Sequence, residues 1–587
     1  MITRIFNWLS SGGRRWHMHW FVTFLNFRRA MLTVAIGCAL LSFRATTAAT
    51  ATGQRGMVAT VHPLATAAGV QTLQAGGNAI DAAVAAGLTL GVVDGYNSGI
   101  GGGCFMLIRV ASGETFYIDG REMAPAGAQR DMFIREGRAD PQLSQTGPLA
   151  VAVPGALAAY EYAARWFGKF KLNQLLIPAA QIAEAGFPIP ENYARRIEAT
   201  ARELGQFPAA RAIFLDTNGA PLAAGTMLKQ PDLARTYRAI ATRGTNWFYN
   251  GPFAQMVGAW MSTNGGVLRA GDFQRYRIRL REPVSSTYRG YTILGFPPPS
   301  SGGVHVAQIL NILENFNLKQ HGPNSPNTIH LITEAMKLAF ADRAYWLGDP
   351  DYVNVPRSLV SKTYAAGLAR RIRLDQATAV RTNGIPSGAP AGFFGKHTTH
   401  FCTADESGNW VACTATINTT FGSKVVVPGT GVVLNNEMDD FSAQPGTANF
   451  FGLVGAEANA IAPGKRPLSS MSPTLVYHNG RPLFSVGAAG GPTIITQVVL
   501  AIVNVIDFGM DIESALAQPR FHHQWLPDEL RIESTIGEGV INELRKRGHK
   551  VTAVDSMGAA QAIALLPEGT GFFGVTDPRG VGQAQGW

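Results

Sequence analysis

The stretch 396-KHTTHFCTADESGNWVACTATINTTFGS-423 carries seven threonines, at 398, 399, 403, 414, 416, 419 and 420. Ser407-Gly408 marks a turn between two runs that alternate polar and apolar residues, so the stretch reads as a β-hairpin. A two- or four-residue loop gives a register in which Cys402 faces Cys413 and Thr399 faces Thr416. Strict alternation then sends the Thr398 side chain to the face opposite Thr416. In that register Thr416 reaches the backbone nitrogen of Thr398 more easily than its hydroxyl.

That nitrogen matters if the chain is cut before Thr398. A threonine hydroxyl needs a base to act as a nucleophile, and a free α-amine has a reference pKa of about 7.7–8.0, matched to neutral pH. An N-terminal threonine therefore carries nucleophile and base in one residue. The run 384-GIPSGAPAGFFG-395 just upstream would give a new chain end slack to separate. A plain hairpin is the competing account, because threonine is a good strand former.

Outward from the hairpin, the chain has 587 residues with 46% hydrophobic and 15% charged residues, ordinary for a globular protein. The net charge of +10 is concentrated at the N-terminus. Residues 1–51 hold Arg4, Arg14, Arg15, Arg28, Arg29 and Arg44 and no acid, and removing them leaves 44 basic against 40 acidic residues. No dense Lys/Arg run follows, so no nucleic-acid partner is expected. The same 1–51 segment reads as a signal peptide, with Arg28-Arg29 before the apolar run 30–43 and an Ala-x-Ala site ending at Ala51. The expectation is an exported, periplasmic or secreted protein; an uncleaved anchor and lipidation at Cys38 are the rival readings.

Two Ala-rich helices are expected over 62–93, with Asn78 as an N-cap, then strands over 97–110 and 115–122. Helical periodicity dominates from about 150 to 275, with further helices over 304–316 and 328–348. Strands are expected at 431-GVVLNN-436, 473–480 and 481–491, and a helix at 493–509. Helices, then strands, then helices again point to an α+β sandwich. Asn97–Cys104 lacks the third glycine of a dinucleotide loop, and no P-loop or GxSxG elbow is present. His522-His523 and His397/His400 lack a third ligand at a telling spacing, so no metal is expected. Asn418-Thr419-Thr420 fits a glycosylation sequon, a weak three-residue match.

The runs "TTHF", "TATINTTFG", "LNNEMDDFS", "KRPLSSMSPT" and "GAAGGPT", in this order, resemble the small subunit of γ-glutamyltranspeptidases. Upstream, "GGNAIDAAVA", "GIGGGCF", "GREMAP" and "PPPSSGG" resemble their large subunit, and the likeness covers 54–587. The resemblance implies an N-terminal-nucleophile (Ntn) hydrolase fold, a four-layer αββα sandwich built jointly by a large subunit (52–397) and a small subunit (398–587) of one autoprocessed precursor. Cleavage at His397-Thr398 would free Thr398 to attack γ-glutamyl amides such as glutathione. Water, an amino acid or a dipeptide would resolve the γ-glutamyl-enzyme. No cofactor or metal is implied.

By the same resemblance, Thr398 is the nucleophile and Thr416 its helper. Gly490-Gly491 would form the oxyanion hole, where backbone N–H groups meet the tetrahedral intermediate. Arg121 is the expected clamp for the substrate α-carboxylate, assisted by Ser469 and Ser470; Glu437 and Asp440 are the expected partners of its α-ammonium, and Asn418 another substrate contact. Taken alone, these residues read as a strand-end salt bridge, turns and a solvated acidic loop. Two departures stand out. Phe451 in the loop 443-AQPGTANFFGLVG-455 replaces a lid aromatic that is often tyrosine and cannot hydrogen-bond to Asn418, and Cys104 replaces a glycine. A Cys402–Cys413 cross-strand disulfide is conceivable in an exported protein. The alternatives are a glutaryl (cephalosporin) acylase of the same fold, with less use for Glu437 and Asp440, and an unprocessed, inert binding protein.

Overall fold

The computed structural model describes residues 49–381 and 398–587. Most of the expected signal peptide, and His397 at the expected cleavage site, lie outside them. The expected signal cut after Ala51 falls inside the strand Thr50–Gly53, where Thr50 and Ala51 pair with Val575 and Gly574. Among the described residues no helix is long and apolar enough to cross a membrane.

Two seven-stranded sheets face each other. One runs, in spatial order, Thr50–Gly53, Phe572–Thr576, Ala559–Leu565, Arg481–Ala489, Thr474–His478, Tyr291–Gly295 and Val284–Tyr288. The other runs Gln583–Gly586, Gly56–Thr60, Thr399–Asp405, Trp410–Thr416, Gly103–Arg109, Thr115–Gly120 and Arg279–Leu280. Three strands carry the site: β1 (Gly103–Arg109), β2 (Thr399–Asp405) and β3 (Trp410–Thr416). Helices α1 (Pro63–Gln74) and α2 (Ala79–Val93) cover the sheet that holds them. Helices α3 (Gly302–Leu313) and α5 (Thr493–Ile506) cover the other sheet, and α4 (Pro326–Trp346) packs on α3. The result is the expected αββα sandwich. Each sheet mixes strands from both sides of residues 382–397, so a cut there would leave two interleaved pieces.

Local sequence accounts for the helices. The Asn78 side chain accepts from Ile80 N and Asp81 N, both at 3.0 Å, while Asp81 Oδ2 accepts from Asn78 N at 2.9 Å. This capping box is worth about 1 kcal/mol. Every residue of α2 is buried. Its Gly87 and Gly91 let two tyrosines close in, because an added Cβ would sit 2.7 Å from Tyr160 Oη and 2.8 Å from Tyr237 Oη.

The hairpin differs from its expected register by one residue. Its loop is Glu406-Ser407-Gly408, closed by Asp405 N donating to Asn409 O at 3.0 Å, with Gly408 at φ 88°. Three-residue loops that place glycine in the left-handed region are a standard hairpin solution. An odd loop shifts the pairing, so Thr399 faces Ala415, Phe401 faces Cys413 and Cys402 faces Ala412. Cys402 then points to the core between the sheets and Cys413 to the core under the helices. Both are free and buried, as is Cys104, so the conceivable disulfide is not formed. Segment 431–436 is also not a strand; it makes the isolated bridge Val426–Val433.

Candidate functional site

The corrected register sets the Thr398 end of the hairpin. One residue beyond the pair Thr399–Ala415, Thr398 stands directly across from Thr416. Directly opposed residues share a face, and this face is the one carrying His400, Thr414 and Cys402. His400 Nδ1 meets Thr414 Oγ1 at 2.8 Å across the same hairpin, and burial pushes the His400 pKa down to about 3. The expectation that strict alternation puts the Thr398 and Thr416 side chains on opposite faces is therefore corrected: in the observed register they share a face. Thr416 Oγ1 accepts from Asn418 N at 2.8 Å, which leaves its proton free to be donated.

Thr398 is buried and has φ 146°, a region that β-branched residues rarely occupy. Its neighbour is pinned: the Thr399 hydroxyl donates to Asp94, the C-cap of α2. Burial raises the Asp94 pKa to about 7, against the opposing pull of its bonds to Thr399, Tyr96 and Asn97.

Arg121, Thr398, Thr416, Asn418, Glu437, Asp440, Ser469, Ser470 and Gly491 all line one cavity of about 20 Å³, closed by Phe451. Gly490 is the next residue in the chain and does not itself line it. Gly490 and Gly491 have φ of 140° and 57°, and the Gly490 carbonyl accepts from Thr493 N and Oγ1 at the start of α5. An added Cβ at Gly491 would lie 2.5 Å from Phe451 Cδ1. The Phe451 ring thus seats on glycine backbone, as a tight lid. Asn449 ties that lid to the pocket: Nδ2 donates to Asp440 Oδ1 at 3.1 Å, while Oδ1 accepts from Phe451 N at 3.0 Å. Asn418 Nδ2 donates to Asn436 O at 3.0 Å rather than to the lid.

Arg121, which is 1% exposed, joins the acids that sequence reading treats as separate ligand contacts. Nη1 donates to Glu437 Oε1, Nη2 donates to Asp440 Oδ2 at 2.6 Å, and Nε donates to Pro467 O at 3.1 Å. The buried Glu122 lies 3.6 Å from Arg121 Nη1. Burial raises the Glu122 pKa to about 7 and moves that of Glu437 upward too, further raised by Glu122 and Asp440. Both oxygens of Glu122 and Oε2 of Glu437 are buried without a hydrogen-bond partner. Burial lowers the pKa of a second guanidinium, Arg343 of α4, to about 10; its Nη2 donates to Ser470 Oγ at 3.2 Å and its Nε to Ser301 Oγ at 3.0 Å.

Sequence reading missed Arg343 and the role of Glu122. Glu122 lies beside Arg121 in "GREMAP", but Arg343 carries no motif. The "PPPSSGG" loop is the support behind the serines. Ser301 Oγ donates to Ser469 O at 2.7 Å, and Ser300 Oγ donates to Met471 O at 2.5 Å.

The sequence model of the family described as gamma-glutamyltranspeptidase matches residues 65–587. The glutathione hydrolase proenzyme of Escherichia coli (strain K12) is 44% identical over 531 residues, covering 90% of this chain and 91% of that protein. The acylase ACY 1 proenzyme of Pseudomonas sp. (strain V22) is 41% identical, covering 89% of this chain and 91% of that protein. Among solved structures, cephalosporin acylase from Bacillus halodurans superposes with a TM-score of 0.82 at 30% identity, covering 92% of this chain and 97% of that one.

Proposed function

The chain belongs to the gamma-glutamyltranspeptidase family, and on that footing we propose that it is a γ-glutamyl hydrolase and transferase, acting on glutathione-like amides through Thr398 as an N-terminal nucleophile. In the first step Thr398 Oγ attacks the His397 carbonyl carbon, the peptide C–N bond breaks, and its nitrogen takes the hydroxyl proton. Water then cleaves the resulting ester, giving the large and small subunits. In turnover the freed α-amine accepts the Thr398 hydroxyl proton as Oγ attacks the γ-carbonyl. Backbone N–H groups at Gly490-Gly491 meet the oxyanion, and the α-ammonium returns the proton to the leaving amine. Water or an incoming amine resolves the γ-glutamyl ester by the reverse route.

The observation that carries this reading is the pairing of Arg121 with Glu437 and Asp440 on the wall facing Thr398. A γ-glutamyl group brings an α-carboxylate for the guanidinium and an α-ammonium for the acids, so it replaces an internal ion pair with two external ones. A glutaryl group, the substrate class of the acylase reading, supplies only the first. Arg28-Arg29, the apolar run 30–43 and the Ala-x-Ala site ending at Ala51 support export from the cytoplasm as part of this reading. The test is a denaturing gel of the purified protein with assays of γ-glutamyl-p-nitroanilide and glutaryl-7-aminocephalosporanic acid. Two bands and selective nitroaniline release are expected; one uncut band without release, or preference for the glutaryl compound, would refute the proposal.

A further inference from the structure

A second cavity, of about 910 Å³, lies against the catalytic pocket. The two share three stretches of backbone as a common wall, on which neighbouring residues face opposite sides. Asn418, Asp440 and Phe451 line the small pocket, and Thr419, Asp439 and Phe450 line the large one. The small pocket has room for a γ-glutamyl group only once the lid shifts, and it has none for the rest of a donor. The other large cavity, lined by Leu280–Ser285 and Pro350–Arg357, shares no lining residue with the catalytic pocket.

Two cations line the large cavity, and among the described residues neither makes an ion pair within 4.0 Å. Lys424 is 7% exposed, and no acid lies within ion-pair distance of it among the described residues. Its ammonium donates to Gly422 O at 2.8 Å, Thr419 Oγ1 at 3.3 Å and Gln145 O at 3.5 Å, all neutral oxygens. It also sits at φ 65°, where a side chain is strained and glycine would not be. Its three N–H donors are met by neutral oxygens, and Glu203 and Asp439 stabilise its charge only from beyond ion-pair distance, so a carboxylate entering the cavity would gain a charge-assisted partner there. Arg196, half-buried, lines the same cavity and among the described residues makes no ion pair within 4.0 Å, although Asp94 and Tyr96 favour its charge against burial. The cavity's acids are already used: Asp439 accepts from Ser144 Oγ at 2.6 Å and Phe450 N at 3.0 Å. Asp140 caps a short helix through Gln142 N at 3.0 Å, and Glu203 pairs with Arg202 at 2.9 Å.

We infer that Lys424 and Arg196 form an anion subsite for the free carboxylate of the peptide or amino acid beyond the scissile amide, first as the donor's leaving group and then as the acceptor. The inference rests on the γ-glutamyl reading above and adds to it what binds on the other side of the reacting bond. Burial lowers the Lys424 pKa to about 8, so the subsite keeps its charge at neutral pH and loses it as the pH rises above 8.

The test compares glycylglycine with glycylglycinamide as acceptors of the γ-glutamyl group from γ-glutamyl-p-nitroanilide. In the wild type, transfer kcat/KM is expected to favour the free carboxylate by about tenfold. Lys424→Met is expected to bring that ratio close to one, Lys424→Arg to retain most of it, and Arg196→Gln to lower it several-fold. A ratio in Lys424→Met equal to that of the wild type overturns the subsite. A second measurement needs neither turnover nor a variant: glycylglycine, but not its amide, should slow acetylation of Lys424 by acetic anhydride, read by peptide mass spectrometry. Equal labelling with both also overturns it. Protection of Lys424 in a protein that releases no nitroaniline would support the anion site while refuting the γ-glutamyl reading.

Discussion

Thr416 stands directly across the hairpin from Thr398, on the face turned toward the second sheet. With its oxygen taken by Asn418 N, the Thr416 hydroxyl has one proton to donate toward the nucleophile. Thr416→Val should slow both autocleavage and turnover roughly ten- to hundredfold, and Thr416→Ser should keep most of both. Cleavage time courses on denaturing gels measure the first, and nitroaniline release the second. Wild-type rates in Thr416→Val would remove the helper role.

Removing the proposed nucleophile is the sharper change. Thr398→Ala should remain one uncut chain by intact mass, with turnover down by roughly a thousandfold or more. Cleavage at the same bond in this variant would reassign the nucleophile.

The lid makes a separate prediction. Gly491 is at φ 57° and touches the Phe451 ring, so Gly491→Ala meets both backbone strain and a clash. Turnover should fall about ten- to hundredfold, through the displaced lid and the disturbed oxyanion site. Comparing kcat with KM for the donor checks it, and unchanged values for both would contradict the seating of Phe451.

The acidic cluster predicts a pH dependence of stability. The Glu122 pKa is about 7 when folded, above an unfolded value of about 4.3. The folded state therefore holds the proton more tightly, and this contribution is complete below pH 4.3 and lost as the pH rises through 7. Glu122→Gln never ionises, so it should gain on its parent between pH 5 and pH 8, on the order of 2 kcal/mol. Urea unfolding in the uncut Thr398→Ala background measures it; a difference that stays constant with pH would refute the raised pKa.

The hairpin register makes a covalent prediction. Cys402 and Cys413 point into different cores, so alkylation of the denatured protein without reductant should label both. A linked Cys402–Cys413 peptide would restore the alternative register.

The candidate residues of the pocket were legible because each sits in a motif whose neighbours constrain it: Arg121 in "GREMAP", Glu437 and Asp440 in "LNNEMDDFS", Ser469-Ser470 in "KRPLSSMSPT". Arg343 was not, because it comes from a 21-residue helix whose pattern records only burial. Lys424 was passed over for a related reason, since a lysine after a Gly-Ser turn reads as solvated until the fold buries it.

By itself the sequence determined most of the helices and strands in order, an α+β arrangement and the hairpin that presents Thr398, because periodicity and turn residues act over short spans. Its turn signal pointed to a two- or four-residue loop where the structure has three, and with that the face on which every threonine lands was misread. Only the tertiary structure decided this, since the side-chain period of two turns a single-residue shift into a change of compartment. It also decided that Arg121, Glu437 and Asp440 meet as ion pairs, because the partners lie more than 300 residues apart and local chemistry carries no record of the contact.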